Sequence, residues 1–411
     1  MPETRCTQEI CLEEIDDREV DILSSAIIDI MFSLLSFEVF GKEIPDEIKS
    51  EITPAGLPDL YKLSKKHDIA HLISDALAKS GNCFEYDQYY QQFQSQQLSA
   101  FYRHEMQKYE FDRIRELFEE NEIEFVPLKG SVIMDYYPEP WMRTRCDIDI
   151  LVKKENIEKA SSLLTSKLHY SGGKVSTHDV TFFSSNKVCL ELHFDLNESD
   201  FKVFEQLSTP WDNTHVKESK RYEYELNEDY FIYYHIVHMA KHFAIGGCGI
   251  KPLIDLYLFE KILGYDKNAV YKLCKSCGLD KFYEKMLELQ EVWFDGAAHN
   301  EMTLNLQKFI LTGGVYGNYA NRIAVKQTKA GGKVGFILSR IFLPLSELRR
   351  VCGNPNITVL QYPIYTIKRC LGLLKKEKRN KVVNELNTSE AVADGESKTV
   401  ESMLESIGLL K

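Results

Sequence analysis

A short stretch of strand-like sequence lies between two long regions whose apolar residues recur at helical spacing. The helical spacing begins near Val20 and continues over residues 57–80 and 87–120. It stops at Asn121-Glu122 and returns near residue 226. Further helices are then predicted over residues 228–245, 250–263, 267–277, 279–294 and 302–311. This order predicts an α+β chain in which a small mixed β-sheet is flanked by N-terminal and C-terminal helical regions.

The strand-like stretch predicts a unit of β-α-β-α-β-β order. Its predicted elements are strand 123–128, helix 131–137, strand 146–152, helix 155–168 and a hairpin with strands 180–184 and 187–194. Gly172-Gly173 predicts a turn before the hairpin, and Ser185-Asn186 predicts the turn within it. The strands are short, so the predicted sheet is small.

Shifts in composition divide the chain into five predicted regions. They are a helical N-terminal region at 1–120, the sheet core at 121–220, a helical C-terminal region at 221–312, a mixed apolar and basic extension at 313–379 and a disordered tail at 380–411. Residues 312–335 are rich in glycine and predict a loop. The tail is predicted to be disordered because it is polar and poor in aromatic residues.

Charge and cysteine usage exclude several classes of protein. The 62 acidic residues outnumber the 50 basic ones and give a net charge of −12, so we expect no binding to duplex nucleic acid. The 10 cysteines are scattered, and the first residues lack the pattern of a secretion signal, so we expect a reducing cytoplasmic location. No uncharged apolar run of about 18 residues occurs, so no transmembrane helix is predicted.

Three carboxylates form the main candidate site. Asp147 and Asp149 are two apart on a predicted strand, which places both on one face and Ile148 on the other. Glu191 alternates with apolar residues on a second strand and would join the pair if the two strands are neighbours. Adjacent carboxylates repel, and an oxygen-seeking divalent cation such as Mg²⁺ removes that repulsion. Taken alone, an Asp-x-Asp pair is more typical of a solvated strand edge than of a functional site.

Residues around the acidic pair are candidates for phosphate binding. Lys129-Gly130-Ser131 lies at a strand-to-helix junction, where glycine permits close approach and serine offers a hydroxyl and an N–H. A plain turn with an N-cap is the alternative. Arg143 and Arg145 precede the pair and suit phosphate oxygens, although they could instead neutralise the carboxylates.

These motifs together resemble a known family. The resemblance rests on four segments: Leu128-Lys129-Gly130-Ser131, Asp135-Tyr136-Tyr137-Pro138, Arg143-x-x-x-Asp147-Ile148-Asp149-Ile150-Leu151-Val152 and Glu191-Leu192-His193. They resemble the bacterial family known as uncharacterised nucleotidyltransferase, within the DNA-polymerase-beta-like superfamily. The resemblance covers about residues 20–375. The family usually reads Arg-Pro-x-x-Asp before the acidic pair, whereas this chain has Arg143-Thr144-Arg145-Cys146.

The resemblance implies a fold, a reaction and site residues. Gly130-Ser131 would form the superfamily turn, Asp147 and Asp149 the metal pair, and Glu191 the third ligand. The implied reaction moves a nucleoside monophosphate from an NTP such as ATP to an acceptor and releases pyrophosphate. It uses Mg²⁺, with Mn²⁺ as an alternative. The acceptor is unidentified, and could be a small molecule, a glycan precursor, a peptide or a protein.

Downstream polar residues extend the candidate site. His235, His238 and His242 share one helical face, and imidazoles at that spacing suit zinc, but no fourth ligand is evident. We instead expect His242, Lys251 and Asp255 to line the cleft that faces the nucleotide. Core packing or an ion pair between helices is the alternative.

A basic run near the end of the predicted extension admits two interpretations. Lys368, Arg369 and the basic residues between 375 and 381 follow the apolar Ile364 and Ile367. A solvated helix end is the interpretation that we favour, and an amphipathic helix on a membrane surface is the alternative.

Two other functions fit the same sequence. One is a catalytically inactive nucleotide-sensing or interaction module with the same fold, and the other is a metal-dependent phosphohydrolase. The chain has neither the P-loop nor the Rossmann glycine pattern, which argues against those classes of nucleotide-binding protein.

Overall fold

The computed structural model describes residues 25–197, 204–315, 317, 319–354, 356–372 and 394–410. Contacts within the chain define two units. The first contains residues 1–241 and 250–298, and the second contains residues 242–249 and 299–411. Among the described helices, none is long and apolar enough to cross a membrane.

The first unit holds the predicted sheet and most of the predicted helices. Its helices are α1 (Ser25–Phe40), α2 (Asp46–Glu51), α3 (Leu57–Lys66), α4 (Ala70–Lys79), α5 (Gln88–Glu120), α6 (Gly130–Ile133), α7 (Ile157–Lys167), α8 (Glu228–Phe243), α9 (Lys251–Leu258), α10 (Lys267–Ser276) and α11 (Asp280–Asp295). The end of α8 belongs to the second unit. One π-helical turn, Phe259–Leu263, follows α9.

Local chemistry explains where the N-terminal helices begin and end. The single helical stretch predicted over 57–80 is divided into α3 and α4 at Asp68, whose φ of 52° does not fit a right-handed helix. Asp87 caps the 33-residue helix α5, because its carboxylate accepts the backbone N–H groups of Tyr89 and Tyr90.

The sheet is small and mixed. Its strands are β1 (Phe125–Pro127), β2 (Asp147–Val152), β3 (Ser171–Val175), β4 (Asp179–Phe183) and β5 (Cys189–His193). They lie in the order β1-β2-β5-β4-β3, and only the central pair, β2 and β5, is parallel. The predicted hairpin is confirmed as the antiparallel pair β4 and β5. The α+β class with a small mixed sheet is therefore confirmed.

The two faces of the sheet differ in polarity. Ile148 and Ile150 of β2, together with Leu190 and Leu192 of β5, lie in a buried cluster with side chains of α5 and α7. Because side chains alternate along a strand, the acidic residues of β2 and β5 point to the opposite face. One face thus supplies the core and the other supplies the candidate site.

Two strand predictions need correction. Gly172-Gly173 is not a turn but lies within β3, an exposed edge strand whose register shifts between Gly172 and Lys174. Gly172 and Gly173 both have positive φ, a backbone conformation that favours glycine at a bulge of this kind. A second, two-stranded sheet, β6 (Thr214–Val216) with β7 (Tyr224–Leu226), was not predicted.

The second unit is helical. Its helices are α12 (Glu301–Gly313), α13 (Tyr319–Lys329), α14 (Lys333–Ile341), α15 (Leu345–Cys352), α16 (Tyr362–Gly372) and α17 (Asp394–Ser406). The segment 312–335, predicted to be a loop, instead contains helix α13. Its glycines lie before and after this helix and not within it.

The tail predicted to be disordered over 380–411 also differs. Residues 380–393 lie outside the described residues, but α17 follows them. Met403, Leu404 and Ile407 are buried. Three apolar side chains at helical spacing explain why this part of a polar tail folds.

Candidate active site

The parallel pair of strands brings the acidic residues together. Asp149 of β2 lies directly opposite Glu191 of β5, and Leu151 lies opposite His193. Oxygen and nitrogen atoms of Asp149, Glu191 and His193 all lie within 4.8 Å of one another. Within the described residues, this is a group with donors suited to a divalent metal ion.

Asp149 binds a lysine and a histidine side chain. Its Oδ1 atom accepts a bond from Lys129 Nζ at 2.9 Å and contacts His193 Nε2 at 2.8 Å. Burial would raise the pKa of Asp149, but Lys129 and His193 outweigh burial and hold that pKa below its usual range. Asp149 is therefore charged at neutral pH.

The pKa of Asp147 is shifted in the opposite direction to that of Asp149. Asp147 is two residues before Asp149 on the same face of β2, half-buried at the start of the strand. Burial and the charges of Asp149 and Glu191 raise its pKa, and Lys129 only partly opposes them. Asp147 therefore holds a proton more readily than an exposed aspartate does, because burial and the two neighbouring carboxylates oppose its charged form. The group of atoms within 4.8 Å does not include Asp147, so its role as a metal ligand stays a prediction.

Lys129 and Gly130 form a tight turn against β2. The Leu128 N–H donates to the Asp149 carbonyl at 3.0 Å, and Lys129 has the rare backbone angles φ 47° and ψ −125°. A Cβ atom on Gly130 would lie 3.0 Å from the Cβ of Arg145, so this close approach favours glycine. The turn holds the Lys129 ammonium beside Asp149.

Ser131 lies inside the short helix α6 rather than at its N-cap, which is Lys129. The Ser131 side chain is buried, and its hydroxyl has no hydrogen-bond partner among the described residues. A buried hydroxyl without a partner is uncommon in a native protein. It is therefore a candidate ligand-binding group.

Arg145 is a second buried group with polar atoms that have no partner among the described residues. Its Nη1 atom reaches the Gly130 carbonyl at 3.3 Å, but within the described chain Nε and Nη2 bind no acceptor. Burial lowers its pKa to about 10, despite the nearby charges of Asp147 and Asp149. Among the described residues, Arg145 forms no ion pair with these carboxylates or with another acid.

Arg143 and Asp255 bind each other. Arg143 Nε and Nη2 donate to the two oxygens of Asp255 at 2.7 and 2.8 Å, and the Tyr137 hydroxyl donates to Asp255 Oδ1 at 2.8 Å. Asp255 is fully buried. The structure therefore shows these two predicted nucleotide-binding residues as an ion pair between the segment before β2 and helix α9.

Lys251 joins the same segment to the N-terminal helices. Its Nζ atom donates to Asp68 Oδ2 at 2.5 Å and to the Thr144 hydroxyl at 3.0 Å. Lys251 and Asp255 thus fix Arg143 and Thr144 from the same helix. His242 lies at the end of α8 in the second unit, and its predicted contact with the nucleotide stays a prediction.

Helix α8 also supplies two residues that sequence reasoning did not place at the carboxylates. Burial, with the charges of Asp149 and Glu191, raises the pKa of Tyr234 to about 12. Burial and Lys129 lower the pKa of His238 to about 3. Residues 234 and 238 are four apart on one helical face, a spacing that could have pointed to them.

His193 lies two residues after Glu191 on β5, so the two side chains share one face of the sheet. Its Nε2 atom lies 3.7 Å from Glu191 Oε2 but only 2.8 Å from Asp149 Oδ1. It therefore bonds to Asp149. His178 stacks on its ring at a centroid distance of 5.8 Å.

Comparison with known families decides the class of protein. A family described as "Uncharacterised nucleotidyltransferase" matches residues 53–295, more than half of the chain. The chain belongs to this family. The matched residues include strands β2 and β5, the Lys129 turn and the helices α8 and α9. The group of residues suited to a metal ion therefore lies inside the matched region. No curated protein and no solved structure matches the chain.

Membership confirms the resemblance that the motifs indicated, and it supports a transferase of the nucleotidyltransferase type. The buried Asp149, Glu191 and His193 group fits the divalent metal that such enzymes generally use.

Proposed function

We propose that this protein is a Mg²⁺-dependent nucleotidyltransferase that moves a nucleoside monophosphate from an NTP to a hydroxyl or phosphate of an acceptor. The observation that best supports this proposal is the register of two parallel strands, which sets Asp149 directly opposite Glu191 with Asp147 on the same face. The acceptor is a small molecule, a glycan precursor, a peptide or a protein.

The donor set fits a hard divalent cation. Asp147, Asp149 and Glu191 offer carboxylate oxygens. Burial and the charges of Asp149 and Glu191 raise the pKa of Asp147, and a bound cation would offset these effects. We assign these three residues as the ligands. Bound Mg²⁺ would stabilise the negative charge that develops on the transferring phosphate. Mn²⁺ is the alternative, and the nearby His193 nitrogen would suit it.

Polar atoms of Ser131 and Arg145 that have no partner among the described residues are assigned to the triphosphate. The Ser131 hydroxyl would donate to one phosphate oxygen, and Arg145 Nε and Nη2 would donate to others. Both are covered in the protein without substrate, so phosphate binding requires a small opening of the Gly130 turn. The substrate would then supply acceptors for the atoms that have none among the described residues.

The reaction is an in-line displacement. The acceptor oxygen attacks the α-phosphorus, a new O–P bond forms, and the bond from the α-phosphorus to the bridging oxygen breaks. Pyrophosphate leaves with that electron pair. Glu191, whose side chain is 24% exposed, is placed to accept the proton of an acceptor hydroxyl. Lys129 and His193 hold Asp149 in its charged form throughout.

Labelled substrates test this proposal. Full-length protein is incubated with NTPs labelled at the α-phosphate, Mg²⁺ and a cell extract, and both the labelled product and released pyrophosphate are measured. Asp149→Asn and Glu191→Gln should each lower turnover at least about 100-fold. Exposed Glu155 provides the matched control, and Glu155→Gln should retain full turnover.

Other outcomes separate the rival functions. Release of orthophosphate without labelled product would identify a phosphohydrolase. NTP binding without turnover would identify a sensing module. Metal binding is measured independently, since Mg²⁺ or Mn²⁺ should raise the melting temperature of the wild type but not of Asp149→Asn.

A further inference from the structure

An unusual share of exposed apolar side chains lies in one part of the second unit. Of the 20 large hydrophobic residues that are exposed in the described chain, 10 lie between Val334 and Ile367. Val334 is 72% exposed, Ile364 is 65% exposed and Leu360 is 90% exposed. Scattered apolar residues are normal on a protein surface, but a concentration in one segment indicates an interaction site.

The exposed apolar residues of α14 form one stripe. Val334, Ile337, Leu338 and Ile341 occur at positions i, i+3, i+4 and i+7, so they share one helical face. Phe336 points to the opposite side and is buried. The helix is therefore anchored by one face and presents an apolar face outward, the reverse of an ordinary surface helix.

Helix α16 repeats this arrangement. Ile364 and Ile367 are exposed at i and i+3, with exposed Lys368 beside them, whereas Thr366 is buried. Outward apolar residues and a cation thus share one face of α16.

Helices α14 and α16 are neighbours, and each contributes exposed apolar residues to the surface of the second unit. Arg369 Nη1 donates to the Ile341 carbonyl at 3.3 Å, which joins α16 to the end of α14. The Tyr362 hydroxyl donates to the Leu343 carbonyl at 2.7 Å. We call this surface the apolar-basic face, defined by Val334, Ile337, Leu338, Ile341, Ile364, Ile367, Lys333 and Lys368.

The charge of this segment is opposite to that of the chain. Residues 333–372 contain six basic residues and one acidic residue, whereas the whole chain carries a net charge of −12. Apolar side chains flanked by cations are the composition of a helix that lies in a membrane interface. An anionic lipid surface complements both properties, because its acyl boundary takes the apolar residues and its headgroups take the cations. A nucleic acid would complement only the charge.

We propose that the apolar-basic face binds peripherally to the surface of an anionic lipid bilayer. Helices α14 and α16 lie along the interface with Val334, Ile337, Leu338, Ile341, Ile364 and Ile367 in the headgroup and upper acyl region. Lys333 and Lys368 contact lipid phosphates. This inference is independent of the proposed nucleotidyl transfer.

Vesicle flotation of the full-length protein tests the inference. Vesicles of phosphatidylcholine mixed with phosphatidylglycerol are compared with vesicles of phosphatidylcholine alone. The anionic vesicles should bind at least about tenfold more tightly, and added salt should weaken that binding. Ile337→Ser combined with Ile341→Ser should weaken it at least about tenfold, as should Lys333→Glu combined with Lys368→Glu.

Matched control variants place the same changes elsewhere. Ile262 and Leu304 are exposed apolar residues of similar accessibility, and Lys167 and Lys174 are exposed lysines. Serine at the first pair and glutamate at the second should leave vesicle binding unchanged. Circular dichroism melting verifies that every variant is folded.

Three outcomes would overturn the inference. They are equal binding to neutral and anionic vesicles, binding that the face variants do not change, and no binding to either vesicle. If sedimentation instead shows a dimer that Ile337→Ser with Ile341→Ser dissociates, the face is an interface between two copies of the chain.

Discussion

Replacing Arg145 with methionine should stabilise the protein while weakening its binding to NTPs. Arg145 is 7% exposed, and its Nε and Nη2 atoms have no acceptor among the described residues. Methionine has a similar length, carries no charge and would remain against Met134, which already contacts the Arg145 guanidinium. The substitution thus removes an unsatisfied charge without opening a large cavity.

The magnitude follows from the burial of the guanidinium. The fall in the pKa of Arg145 to about 10 corresponds to about 3 kcal/mol against its charged form in the folded protein. The substitution also removes the long hydrogen bond to the Gly130 carbonyl, a loss of about 1 kcal/mol. We therefore expect the free energy of unfolding to rise by about 1–2 kcal/mol. Loss of two charged hydrogen bonds to phosphate should weaken NTP binding at least about tenfold.

Urea denaturation followed by tryptophan fluorescence measures the stability. Trp141, Trp211 and Trp293, the three tryptophans of the chain, all belong to the first unit, so their emission reports the unit that contains Arg145. Isothermal titration with ATP and Mg²⁺ measures binding. Arg145→Lys keeps the positive charge and serves as the comparison.

The opposite pair of results would refute this reasoning. If Arg145→Met lowers the free energy of unfolding by more than about 1 kcal/mol and leaves ATP binding unchanged, Arg145 has structural partners and no role in phosphate binding.

Three further substitutions test the packing around the site and one buried acid. Asp255→Ala should lower the free energy of unfolding by about 3–5 kcal/mol because it leaves Arg143 buried and unpaired, and a double-mutant cycle in urea should show coupling between them; additive effects would contradict the ion pair. Burial and a hydrogen bond to Asp75 raise the pKa of Glu38 to about 7. A raised pKa gives stability that is lost as pH rises, so between about pH 4.5 and pH 8 the wild type should lose about 2–3 kcal/mol more than Glu38→Gln does in melting experiments, and equal losses would contradict the raised pKa. Gly130→Ala should reduce stability by about 1–3 kcal/mol in the urea assay, because its Cβ would meet a side chain at 3.0 Å; unchanged stability would show that the turn yields.

The central part of the candidate site could be predicted because strand alternation fixes which face a side chain occupies. Ile148 and Leu190 alternate with Asp149 and Glu191, and the structure places the apolar pair in the core. The order of the strands was less certain, since only their pairing determines whether Asp149 and Glu191 meet. The parallel register supplies that missing information.

The polar partners of the surrounding residues could not be predicted. Lys251 binds Asp68, which is 183 residues away in the sequence, and Arg143 binds Asp255 at a separation of 112 residues. No local pattern encodes such pairs, because they depend on how helices pack. The same is true of Tyr234, which packing of helix α8 places in the electrostatic environment of the carboxylates.

The left-handed backbone at Lys129 has a consequence for protein engineering. A lysine at φ 47° is strained by about 1–3 kcal/mol, and glycine would relieve that strain. A redesign guided only by thermostability would therefore select Lys129→Gly, and the more robust protein would lack the ammonium that keeps Asp149 ionised. Screens of variant libraries of this protein should therefore measure activity as well as thermal stability, because at this strained position a more stable residue would lack the side chain that the site needs.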